Sequence, residues 1–146
     1  MRSYNDMPLI ADTLNMVSRQ TTPLELISLD NESTDGTLHE IRKYTERTIN
    51  IPKGTYVPGR VLNQGMKVSH GEFVVFLNSD CTPQNESWLK NLLAGFTDDN
   101  VAAVFGRQIP RPDCHPIFAK DTEDTFGDGS NQKYWRHCFS MASSAI

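Results

Sequence analysis

The chain has 146 residues, with 14 Lys plus Arg against 18 Asp plus Glu and a formal net charge of −4 at pH 7. That length fits one domain able to bury roughly two-thirds of its unfolded surface, and 38% hydrophobic with 22% charged residues is a globular composition. The acidic balance argues against nucleic-acid binding. No run approaches the ~20 apolar residues of a membrane span, and the first residues lack the apolar core of a secretory signal. The three cysteines are widely spaced with no C-x-x-C pair, which fits reduced thiols rather than disulfides or zinc.

Helix-like and strand-like segments alternate along the chain, the pattern of an α/β domain. Over 6–19, Ile10, Leu14 and Val17 fall on one helical face, entered through Asp6 and Pro8. Residues 24–29 read as a strand that stops at the polar cluster 30–36, and 36–46 as a helix capped by Ser33 or Asp35. A short strand is expected at 47–51 and a loop at 53–59. A helix follows over 60–69, closed by Gly71 as its C-cap. The apolar continuity of 72–78 predicts a strand buried on both faces in the middle of a parallel sheet. Thr82 and Pro83 have the chemistry of a helix start, leading to the stripe Trp88, Leu89, Leu92, Leu93 and Phe96. A strand at 101–109 completes a β-α-β unit. Residues 110–133 are rich in Pro, Gly and acids and read as a surface excursion with one short helix near 115–121. The chain ends on an apolar, small-residue stretch, which reads as cut rather than finished.

Two polar clusters end two of these strands: 30–35, and Asn78-Ser79-Asp80. In an open parallel sheet, ligands bind beyond the carboxyl ends of the strands, so both clusters face one crevice if those strands run parallel. A carboxylate just past a buried strand is held rigidly and suits Mg2+ or Mn2+, which take oxygen ligands from one or two carboxylates plus substrate phosphates. Asp80 is the best such candidate, with Asn78 as a neutral oxygen donor beside it. Asp30 suits hydrogen bonding to a base or a sugar hydroxyl. The plain alternatives are a strand-ending turn at 78–80, a helix cap at Asp35 and a solvated helix start at Arg60.

The blocks Leu29-Asp-Asn-Glu-Ser-Thr-Asp-Gly-Thr37, Gly59-Arg-Val-Leu-Asn-Gln-Gly65 and His70-Gly-Glu-Phe-Val-Val-Phe-Leu-Asn-Ser-Asp80 resemble family 2 glycosyltransferases in order and spacing. Gly106-Arg-Gln-Ile-Pro110 is similar to a bacterial group that builds cell-surface polysaccharides, rhamnosyltransferases included. The resemblance implies a GT-A-like (Rossmann-like) α/β fold, a mostly parallel sheet flanked by helices and incomplete here. Its donor-binding core would span 1–109, with the acceptor-side region beginning within 110–146. It implies Tyr4 near the nucleotide base, Asp30 at base or ribose, and Asp80 as the metal-binding end of a D-x-D element. Asn78 replaces the first aspartate of that element, Ser79 lies between the two, and Arg60 falls near an arginine the family often carries.

The implied activity is transfer of a sugar, with inversion, from a nucleotide-diphosphate-sugar donor to a glycan or lipid-linked acceptor. A divalent metal would assist the departing diphosphate. The family's first strand precedes Met1, and its general base lies beyond Ile146, so weak or no activity is expected of this piece. The pair Glu123-Asp124 lies in the wrong place to serve as that base. A sheet edge left unpaired by the missing strand would favour a homodimer. The implied location is cytoplasmic or at the inner face of the membrane. The alternatives are a non-catalytic nucleotide-binding or structural remnant, and a nucleotidyltransferase. The latter normally carries a Gly-rich phosphate loop near its start, which this sequence lacks.

Overall fold

In the computed structural model, which describes residues 1–127 and 139–146, strands and helices alternate from the first residues onward. The order is β1 (Arg2–Ser3), α1 (Leu9–Ser18), β2 (Ser28–Asp30), α2 (Thr37–Ile41), β3 (Thr48–Asn50) and α3 (Pro58–Val68). Then follow β4 (Val75–Leu77), α4 (Trp88–Leu93), β5 (Val104–Phe105), α5 (Pro116–Phe126) and β6 (Ser143–Ala145). β1, β2 and β3 pair in parallel, with Arg2 opposite Leu29 and Ser28 opposite Thr48. β6 lies antiparallel between β4 and β5. A parallel bridge from Arg2 to Asn78, with the Ser79 N–H donating to the Arg2 carbonyl at 3.2 Å, joins the two halves. The strand order across the molecule is therefore β3-β2-β1-β4-β6-β5.

Side-chain alternation along β2 sends Leu26, Ser28 and Asp30 to one face and Leu29 to the other. The first face meets α1 and α2, where Ile10, Leu14 and Ile41 form a fully buried cluster with Leu26 and Met1 packed on it. The second meets α3, where Leu29, Ile51 and Val61 cluster and Ile49 joins from β3. Gly65 brings α3 close to the sheet: a Cβ there would stand 3.2 Å from Leu29 Cδ1. Among the described residues, no helix is long and apolar enough to cross a membrane.

Several expected boundaries move. β2 begins at Ser28 rather than residue 24. α3 starts at Pro58 and is capped by Ser69, not Gly71. α2 is entered through Gly36 in a left-handed conformation, while the Asp35 carboxylate accepts the Thr37 N–H at 3.0 Å. Thr82 and Pro83 do not open a helix. The Thr82 hydroxyl meets that of Thr13 at 3.0 Å, and Gln20 ties 85–89 to α1 by donating to the Asn85 carbonyl and accepting from the Leu89 N–H. α4 therefore begins only at Trp88. β4 is not flanked by parallel strands on both sides, since β6 on one side is antiparallel, and β5 keeps only two residues of the expected nine. α5 is longer than the helix expected at 115–121 and buries none of its residues, as a surface excursion should.

The expected unpaired edge is also misplaced. β1 sits in the middle of the sheet, so a short β1 leaves unpaired backbone inside the sheet and not along its rim. That removes the reason for a homodimer through an open edge. Cys81 and Cys114 are free thiols; Cys138 lies outside the described residues.

Candidate functional site

Three parallel strand ends meet at one place. β1 runs out into Tyr4, Asn5 and Asp6, β2 into Asp30 and Asn31, and β4 into Asn78, Ser79 and Asp80. Of these, Tyr4, Asp6, Asn31, Asn78, Ser79 and Asp80 line, with Tyr56, a cavity of about 350 Å³. The strands put them there because they run in one direction, so their carboxyl ends share one side of the sheet.

The loops are cross-tied by side chains. The Asp6 carboxylate accepts the Tyr4 N–H at 2.7 Å and the Ser79 hydroxyl, linking β1 to β4. The Arg2 guanidinium donates to Asn78 Oδ1 and to the Tyr56 hydroxyl, the latter at 3.3 Å. Asp30 links β1 to the loop after β2: it accepts the Ser3 hydroxyl at 2.9 Å, the Ser33 hydroxyl at 2.6 Å and the Ser33 N–H at 2.9 Å. A buried carboxylate is tolerated only with such compensation. Asp30 is fully buried, so it lies beneath the cavity rather than on its wall.

Asp80 is exposed at the cavity rim. Arg111 reaches back from the segment after β5 and donates to the Asp80 carbonyl at 2.6 Å. Burial, the Asp80 charge and a hydrogen bond to Asp80 push the neighbouring Cys81 thiol up to about 11. Cys81 thus stays protonated at neutral pH. Among the described residues no group of three or more His, Cys, Asp or Glu could hold a metal ion. A cation at this rim would rest on Asp80 together with oxygens of a bound ligand, a mode that suits Mg2+.

Of the residues singled out from sequence, Tyr4, Asn78, Ser79 and Asp80 share the cavity wall, and Asp30 supports it from below. Arg60 does not join them. It is exposed in the first turn of α3, a helix whose buried residue is Val61. Sequence reading passed over Arg2, Asp6, Asn31, Tyr56 and Arg111. Asp6 reads in sequence as a helix entry and Asn31 only as part of the polar cluster 30–36, and only the fold brings Arg111 back to Asp80. Asn31 carries a signal of its own: its Oδ1 is buried without a hydrogen-bond partner, and the residue lines the cavity. Buried acceptors are normally paired, so this one suits a ligand's N–H or O–H.

Known proteins resemble the chain in both sequence and fold. The O-antigen chain rhamnosyltransferase WbaN of Salmonella anatum is 38% identical over 96 residues, covering 65% of this chain and 30% of that protein. The O-antigen chain rhamnosyltransferase RfbN of Salmonella typhimurium is 30% identical over 118 residues, 79% of this chain and 38% of its own length. The chain thus spans about a third of those relatives. Among solved structures, a Pyrobaculum calidifontis mannosyltransferase in complex with GDP-Man and Mn2+ superposes with a TM-score of 0.69 at 23% identity, over 99% of this chain and 42% of that one. Residues 1–349 of Staphylococcus aureus TarS, solved with UDP, superpose with a TM-score of 0.57 at 29% identity, over 75% and 36% of the two chains. The family model for glycosyl transferase family 2 matches residues 1–142, and the chain belongs to that family.

Proposed function

We propose that the cavity at the strand ends binds the nucleoside diphosphate part of a nucleotide-sugar donor, as part of an inverting glycosyltransferase acting on a glycan or lipid-linked acceptor. The observation that carries this reading is the convergence of Tyr4, Asn31, Asn78, Ser79 and Asp80 on one cavity of about 350 Å³, with Arg2 on its wall. Tyr4 offers an exposed ring for stacking on the base. Asn31 Oδ1 accepts from the base or a ribose hydroxyl, and Asp30 serves by fixing the loops that present both. Arg2, with Arg111 behind Asp80, supplies positive charge toward the diphosphate. Asp80 holds a divalent cation, Mg2+ or Mn2+, whose chemistry is to neutralise charge developing on the departing diphosphate. The neighbours solved with GDP-Man and Mn2+ and with UDP support this reading.

Calorimetric titration with UDP, GDP and dTDP, each with and without Mn2+, tests it. The expected result is binding of one nucleotide that requires the metal and weakens at least tenfold in Asp80→Ala. Because Asp80 is exposed, that substitution should change stability by less than ~0.5 kcal/mol. Metal-independent binding, or none, favours the non-catalytic remnant and would sink the donor-site reading.

A further inference from the structure

The wall of the strand-end cavity carries one guanidinium, Arg2, and two carboxylates, Asp6 and Asp80. Backbone pairing fixes Arg2 from both sides, opposite Leu29 on β2 and bridged to Asn78 on β4. Its guanidinium donates to Asn78 Oδ1 and to the Tyr56 hydroxyl, and neither acceptor is charged. Among the described residues Arg2 forms no salt bridge. Two of its five N–H groups are thus engaged and aim the group, while its charge stays uncancelled. A part-buried guanidinium held this way is a site for the oxygens of an anion.

The same bonds leave a free cation poorly served. Asn78, a neutral oxygen donor for a cation in the sequence reading, spends its Oδ1 on Arg2. The Asp6 carboxylate accepts the Tyr4 N–H and the Ser79 hydroxyl. Asp30 is buried beneath the cavity and engaged by Ser3 and Ser33. Asp80 is the exposed carboxylate left at the rim. Mg2+ and its like are held by one or two carboxylates together with phosphate oxygens, so Asp80 without phosphate is a weak holder. Charge acts in the same direction. Arg2 on Asn78 and Arg111 on the Asp80 carbonyl both oppose a bare dication. A bare diphosphate meets the converse, since Asp6 and Asp80 face it. A complex of the two cancels most of both charges, and offers phosphate oxygens to Arg2 and the cation to Asp80.

We propose that Arg2 and Asn78 together put an anion anchor where a second metal carboxylate would stand, so that the site takes its divalent cation only as a complex with a nucleoside diphosphate. The inference rests on the donor-site reading above and adds the order of binding to it: metal and nucleotide arrive as one ligand. Arg2 touches the phosphates, and Asn78 is a positioning residue that acts through Arg2.

Manganese EPR of the full chain tests this. Without nucleotide, the protein at submillimolar concentration should leave the signal of free Mn2+ undiminished. With the nucleoside diphosphate that titration identifies, the signal should fall well below the level that nucleotide alone sets. Arg2→Gln should weaken binding of the metal–nucleotide complex at least tenfold, and Arg2→Lys, which keeps the charge, should recover at least threefold of that. Asn78→Leu should cost at least threefold in the parent and nothing in Arg2→Gln, because its effect runs through Arg2. Micromolar binding of Mn2+ to the nucleotide-free chain overturns the proposal. Equal losses in Arg2→Gln and Arg2→Lys do the same, as does an Asn78→Leu effect that persists in Arg2→Gln. In each of these cases the parent still binds nucleotide with Mn2+ and the donor-site reading stands, whereas a parent that binds no nucleotide overturns both.

Discussion

Replacing Asp30 tests how the site is held together. Its carboxylate is fully buried and accepts three hydrogen bonds, from the Ser3 hydroxyl, the Ser33 hydroxyl and the Ser33 N–H. Hydrogen bonds to a charged acceptor contribute ~1.5–3 kcal/mol each, but the desolvation of a buried carboxylate takes back several kcal/mol. Asp30→Ala removes the carboxylate and strands three donors, so the net loss should fall near ~3–5 kcal/mol, the range for breaking a buried charged interaction. Asp30→Asn differs in kind. Its carbonyl can face the Ser33 N–H, and its NH2 can face the two hydroxyls, which rotate to accept. All three contacts survive as neutral bonds, and the expected cost is ~1–2 kcal/mol. Urea unfolding reads both: with a slope of ~2 kcal/mol/M, Ala should lower the midpoint by ~1.5–2.5 M and Asn by less than ~1 M. Stability totals of ~5–15 kcal/mol leave the Ala variant folded but weak. Two variants within ~0.5 kcal/mol of the parent would refute the idea that Asp30 is the tie between β1 and the loop after β2.

Asn78→Asp restores a second carboxylate at the cavity and places it against Arg2; Mn2+ affinity in the presence of nucleotide, read by manganese EPR, should rise about tenfold, ~1.4 kcal/mol. An unchanged affinity places Asn78 away from the cation. Gly95→Ala would bring a Cβ to 2.8 Å from Val104 Cγ1 and 3.1 Å from the Leu92 carbonyl. Thermal melts should show ~1–3 kcal/mol lost to overpacking between α4 and β5, and a neutral result shows that Val104 moves freely.

The sequence made the α/β alternation legible because periodicity is a local property: Ile10, Leu14 and Val17 need no partner to reveal a helix face. The polar clusters at the ends of β2 and β4 were legible for the same reason. The positions of β1 and β6 were not. Two residues, Arg2 and Ser3, carry no periodicity, yet their pairings place them at the centre of the sheet. Ser143–Ala145 is small and nearly featureless, and becomes a strand only because β4 and β5 leave a gap that residues without bulk can fill; all three are buried. Thr82-Pro83 misled because cap chemistry competes with tertiary bonds. The Thr13 hydroxyl and the Gln20 side chain hold that stretch out of a helix until Trp88. Arg111 and Tyr56 could not be found by any local rule, since their link to the site runs through space.

A short central strand also explains why the site is tied mainly by side chains. β1 gives the sheet few backbone bonds, yet the six residues from Arg2 to Met7 reach both neighbouring loops in turn. Arg2 bonds Asn78, Ser3 bonds Asp30, and the Asn5 N–H bonds the Ser33 hydroxyl at 2.9 Å. Asp6 accepts from Ser79 while its own N–H bonds Thr37 Oγ1 at 2.8 Å, and the Met7 N–H bonds Asp35 at 2.9 Å. The site is thus stitched from one segment outward, and local opening of that segment releases every wall at once.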